Sequence, residues 1–211
     1  MPANDSILAG KAEETIREAI ERLGCAEWWR SLPDETRQTI EVVVGNKLYG
    51  SDKKARWRQL WLRDCDKTWD FVCELGEWLL GDGHEELSMQ VIEAAQQFVD
   101  SDPLKLDAYL HEVIRRCYKY RESAPVMARV EWACEQSIQN AEAAAHAWRA
   151  LGHSLPNHKA FEQLSIIRTK SGDLEGALKL VTLAESQGWS GDWERRKIRL
   201  QERISRARRP K

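Results

Sequence analysis

Two segments of this 211-residue chain interleave positive charge with aromatic rings. Residues 53–63 read KKARWRQLWLR and residues 115–121 read RRCYKYR. Cations of this kind hold phosphates while neighbouring rings stack on bases. Lys53, Lys54, Arg56, Arg58, Arg63, Arg115, Arg116 and Lys119 are therefore candidate contacts to RNA or DNA. A competing reading buries Trp57, Leu60 and Trp61 as an ordinary helical stripe and turns the cations to water. A further basic run closes the chain. Residues 190–211 carry a net +6, which leaves −8 on the first 189 residues within an overall charge of −2. An acidic body with a basic C-terminal helix suits a polar partner, although cations also simply favour helix C-termini.

Groups of metal-ligating type are present but poorly arranged along the sequence. His84-Glu85-Glu86 and Asp64-Cys65-Asp66 are runs of neighbours, and adjacent residues on a helix point in different directions. Cap and surface roles are expected for both. His111 reads as a helix-face residue rather than a ligand. His146, His153 and His158 surround the break at Pro156 and are the one set that a helical turn could bring together. The five cysteines form no C-x-x-C pair, so zinc-ribbon and thioredoxin-type sites have no support, and buried reduced thiols are expected. No phosphate-binding Gly-rich loop, nucleophile elbow or H-E-x-x-H occurs. The expectation is a non-enzymatic chain with no catalytic residues, no metal and no cofactor.

The elements that must position these residues are helical. Apolar residues recur at helical spacing nearly throughout, and sustained period-two alternation is missing. Ile7, Leu8, Ala12, Ile16, Ala19, Ile20 and Leu23 form a first stripe, with Asp5 or Ser6 as its cap and Gly24 as its end. Pro33, Pro103 and Pro125 each sit where a helix should begin. Tyr49-Gly50-Ser51-Asp52 reads as a stop followed by a cap. Leu106, Tyr109, Leu110, Val113, Ile114 and Cys117 share a face. Residues 124–151 predict a long Ala-rich helix, and Gly152–Asn157 is the clearest break.

After that break the chain reads HKAFEQLSIIRTKSGDLEGALKLVTLAESQGW. Phe161, Leu164 and Ser165 precede a Gly172-Asp173 turn, and Ala177, Val181 and Ala184 follow it. Gly172 suits a left-handed helix end and Asp173 a cap. This segment resembles a tetratricopeptide repeat, departing from it at Arg168, where an aromatic is usual, and in lacking the terminal Pro. The resemblance implies a concave protein-binding surface rather than catalysis. Trp193, Leu200, Ile204 and Ala207 then look like the capping helix such arrays require. One repeat cannot bury its own faces, so the preceding residues must supply the neighbouring layer.

The sequence thus predicts an all-α protein, an irregular helical bundle or short α-solenoid of about nine antiparallel-packed helices ending in a repeat-like hairpin and capping helix. The expected division is a helical region over 1–156 and the hairpin with its basic helix over 157–211, packed as one unit. Gln163, Arg168, Arg195, Arg199, Arg203 and Arg206 are the candidate contacts to a protein partner, with nucleic acid as the alternative. No apolar run approaches the ~20 residues of a membrane span, and the N-terminus lacks the pattern of a secretion signal. A cytoplasmic location is expected.

Overall fold

The computed structural model describes residues 2–51 and 53–208, with side chains from residue 10 onward. Asp5, Ser6, Ile7 and Leu8 (as side chains), the Asp52 cap, Arg209 and Lys211 lie outside what is described. The protein is all-α. Eleven α-helices and two short 3-10 turns account for its regular structure among the described residues, and an isolated bridge between Asn157 and Ser190 is the sole strand-like pairing there. No helix among them is long and apolar enough to cross a membrane.

The chain divides into two compact units, residues 1–99 and 100–211. The division therefore falls after Val99, and the expected boundary at 156 lies inside the second unit. Gly152–Asn157 is strongly punctuated because it reverses the chain between two helices that pack together, and a reversal needs the same breakers as a domain linker.

In the first unit, α1 (Pro2–Leu23) packs on α3 (Asp34–Tyr49), with the short α2 (Ala26–Ser31) between them. Ala12, Ile16, Ala19 and Ile20 of α1 are buried, as are Ile40, Val43, Val44 and Leu48 of α3. The β-branched Val42–Val44 run stays helical because its burial is one-sided: Val43 and Val44 enter the core while Val42 faces out. After α4 (Ala55–Asp64), α5 (Thr68–Gly81) packs on α6 (Glu85–Ala94) and the 3-10 turn Ala95–Phe98. α5 is buried nearly all round, as its apolar sequence requires. Arg22 ties α1 to the end of α4 by donating to the Leu62 carbonyl at 2.8 Å and to the Cys65 carbonyl.

The second unit is built from helices that each pack on the next: α7 (Pro103–Cys117), α8 (Ala124–Ala150), α9 (Lys159–Ser171), α10 (Leu174–Ser186) and α11 (Trp193–Ala207). Asp102 caps α7, accepting from the Leu104 amide at 2.8 Å, with Pro103 in the first turn where no amide donor is missed. Ala141, Ala144 and Ala145 of α8 are buried against Phe161, Ala177, Val181 and Ala184, and their small side chains let the helices approach closely. Trp189, Trp193 and Leu200 complete that core. The α9–α10 turn forms as expected: Gly172 takes φ 89°, and the Asp173 carboxylate accepts from the Gly176 amide at 2.8 Å. Ala207 differs from its expected place on the buried stripe of α11 and is exposed. Ser190 fixes the chain reversal by donating its amide to the Pro156 carbonyl (3.1 Å) and its hydroxyl to the Leu155 carbonyl (2.6 Å).

Candidate functional site

Among the places that gather chemistry-bearing side chains, three bear on the candidate residues, and the first is a groove on the second unit. It has a volume of about 310 Å³ and runs between α9 and α11 over α10. Ile166, Val181 and Leu200 give it an apolar floor, and Lys170, Arg199 and Arg203 line its rim. Among the described residues these three cations form no ion pair. Their neighbours on the same helix are already engaged: Arg196 donates to Glu162 at 2.5 Å, and Lys197 pairs with Glu185. The groove is thus an apolar slot framed by uncompensated positive charge, as helical spacing along α11 places Arg199 and Arg203 one turn apart.

The other candidate partner contacts are distributed differently. Arg195 is exposed one turn before Arg199, and Arg206 pairs with Glu202 at 3.6 Å. Arg168 is spent on the fold, bound to Asp173 at 3.0 Å and Glu135 at 3.7 Å, so it braces the hairpin turn. Gln163 is half-buried, and its side-chain nitrogen is shielded from water with no hydrogen-bond acceptor among the described residues.

The second place is α4. Trp57 is 60% exposed and Leu60 is exposed beside it, while Leu62 enters the core and Trp61 packs edge-on to Trp78 with ring centroids 6.4 Å apart. The buried-stripe reading of Trp57 and Leu60 is therefore corrected. Helix α4 meets the rest of its unit through the Arg58–Leu62 side: Arg58 donates to the Lys47 carbonyl at 3.1 Å and Gln59 to the Leu48 carbonyl at 2.6 Å. Lys53, Lys54 and Arg56 are exposed around Trp57, and Arg63 pairs with Asp64 at 2.8 Å. The second basic segment does not hold together as a surface. Arg116 is only 2% exposed and sits 3.2 Å from Glu112, so it is withdrawn as a nucleic-acid contact; it lies on the apolar face of α7. Arg115 is exposed but shares Glu112, and Lys119 is exposed in the 3-10 turn Tyr118–Tyr120.

The third place is a buried cluster that the sequence did not suggest. Asp107 and His111 stand one turn apart on α7, and His158 immediately precedes α9. Their three ligand-type atoms all lie within 4.8 Å of one another. Oδ1 of Asp107 is 3.3 Å from Nε2 of His111 and 3.6 Å from Nε2 of His158. The His158 ring is fully buried, edge-on to Trp189 (centroids 4.4 Å) and to His111 (5.0 Å), and tilted on Phe161 (4.8 Å). Burial, with the neighbouring His111, lowers the His158 pKa to about 3 and keeps the ring neutral. Burial also lowers that of His111 and raises that of Asp107, the latter opposed by His111 and by the hydroxyl of Ser137, which donates to Oδ1 at 2.7 Å.

This geometry corrects the expected grouping of His146, His153 and His158. His146 is exposed on α8, and His153 packs edge-on to Trp148 at 5.8 Å instead. His111 does lie on a helix face, as expected, and that face carries it against Asp107 and His158. One signal was available: an Asp-x-x-x-His spacing puts both side chains on one face of a helix. The third member, far along the chain, had none. Comparison with protein families, curated proteins and solved structures finds no match to this chain.

Proposed function

We propose that this protein is a non-enzymatic helical interaction protein, an adaptor or assembly subunit, whose groove between α9 and α11 takes an acidic segment of a partner protein. The observation that carries the reading is the pairing of an apolar floor with three cations that no acidic side chain of the described fold neutralises. An extended or helical segment with one Leu or Phe among Asp and Glu residues would bury its apolar side chain against Ile166 and Leu200. Its carboxylates would meet Arg199, Arg203 and Lys170. The resemblance of residues 158–189 to a tetratricopeptide repeat supports the same reading, and the five buried thiols suit a reducing cytoplasm.

The test is fluorescence anisotropy with labelled peptides of that design against a Lys-substituted control. The acidic peptides bind and the control does not. Arg199→Glu and Arg203→Glu each weaken binding about tenfold, equivalent to ~1.4 kcal/mol, and added salt weakens it further. Equal binding of both peptide classes, or affinity indifferent to both reversals, sinks the proposal.

A second reading, contact with RNA or DNA, is favoured by one observation: the exposed Trp57 ring among Lys53, Lys54 and Arg56 on α4. Retention of single-stranded nucleic acid at about 50 mM salt that Trp57→Ala abolishes would establish it, and absence of retention there removes it.

A further inference from the structure

We propose that Asp107, His111 and His158 form a Zn²⁺-binding site, coordinating through Oδ1 and the two Nε2 atoms and leaving a fourth position for water. The inference stands apart from the groove and does not depend on it.

Unsatisfied polar atoms provide the first argument. Nε2 of His111 and both ring nitrogens of His158 are buried without a hydrogen-bond partner among the described residues. Leaving such atoms unpaired is costly, and two of the three, the Nε2 atoms, lie 3.3 and 3.6 Å from the same carboxylate oxygen. A cation placed between them satisfies both and the carboxylate together; Nδ1 of His158 remains outside the coordination.

Spacing and donor type together favour Zn²⁺. Bonds of ~2.0–2.1 Å in a tetrahedron separate ligand atoms by ~3.3–3.4 Å, whereas adjacent ligands of octahedral Mg²⁺ stand only ~3.0 Å apart. The observed 3.3 and 3.6 Å lie nearer the tetrahedral edge than the octahedral one, and the third separation is within 4.8 Å. Two imidazoles and one carboxylate are also donors that Zn²⁺ accepts and that Mg²⁺ and Ca²⁺, which prefer oxygen alone, do not. The cluster is supported as metal sites are: Ser137 orients the carboxylate at 2.7 Å, and Trp189 and Phe161 fix the His158 ring. Bound there, Zn²⁺ would fasten α7 to the start of α9.

The experiment uses the full, tag-free chain stripped with chelator and titrated with Zn²⁺ by calorimetry, and with Co²⁺ followed by visible absorption. One Zn²⁺ binds per chain, Co²⁺ gives the intense bands of tetrahedral coordination, and the melting temperature rises with Zn²⁺ but not with Mg²⁺. His111→Ala and Asp107→Asn, with helicity checked by circular dichroism, lower affinity about a hundredfold or more, and Ser137→Ala lowers it about tenfold. His146→Ala leaves it unchanged. Absence of a tetrahedral Co²⁺ spectrum in the unmodified chain overturns the site, even where the variants fail to fold. Stoichiometric binding that survives His111→Ala and Asp107→Asn overturns it equally.

Discussion

Gly76 of α5 lies so close to Ile92 of α6 that a methyl group on its Cα would stand 2.4 Å from Ile92 Cγ1 and 3.2 Å from the Ser88 carbonyl oxygen. The same contact carries a hydrogen bond, since the Ser88 hydroxyl donates to the Gly76 carbonyl at 2.6 Å. Two opposed effects meet here. Replacing a mid-helix glycine by alanine gains ~0.5–1 kcal/mol of helix stability, whereas overfilling a packed core costs ~1–3 kcal/mol. The clash is with a buried branch and a backbone atom, so the cost wins. Gly76→Ala should lower the urea midpoint of the first unit without changing its slope. Trimming the obstruction with Ile92→Ala in the same chain should recover part of that loss, giving a coupling energy in a double-mutant cycle. Strict additivity of the two changes would show that the helices do not approach as described.

Asp173 supplies a pH-dependent term. The Gly176 amide first, and then the Arg168 guanidinium, hold its carboxyl below the ordinary carboxylate value. A group depressed in the folded state stabilises fully above its unfolded pKa, and that contribution disappears as pH falls through the folded one. Asp173→Ala should therefore melt earlier than the parent at pH 7. Below about pH 4 the gap should narrow as the parent's own carboxyl protonates and only a neutral cap remains. Asp173→Asn, which still caps the helix, should fall between them at neutral pH. A gap that stays constant through the acid range would mean that the ionised cap is not what stabilises the turn.

The five cysteines are all buried and free. Burial raises the Cys134 thiol to about 12, with Glu131 and Glu135 adding to the effect, and the Cys25 thiol to about 11. Thiolate is the reactive form, so both are inert near neutrality. A thiol reagent at about pH 8 should label no cysteine in the folded chain and all five in denaturant. Fast labelling of Cys134 in the native protein would contradict its burial.

The sequence alone determined whatever rests on short-range chemistry. Helix starts at Pro33, Pro103 and Pro125 were legible because a fixed φ and a missing amide donor fit the beginning of a helix but not its interior. The turn at Gly172-Asp173 was legible because positive φ and amide capping are properties of two neighbouring residues. The buried face of α10, through Ala177, Val181 and Ala184, followed from periodicity.

What only the tertiary structure decided is which side of each helix meets a neighbour, and which distant residues then converge. Trp57 and Trp61 occupy equivalent positions in one basic helix, yet one is exposed and the other half-buried. Arg115 and Arg116 are adjacent, yet Glu112 and the apolar face of α7 draw the second inside. Asp107 and His111 became a candidate site when α9 brought His158 against them, and Arg199 and Arg203 became a rim when α9 and α11 enclosed an apolar floor. Propensity and capping act over one or two helical turns. Burial and convergence depend on how helices distant in sequence pack, and no local spacing encodes that.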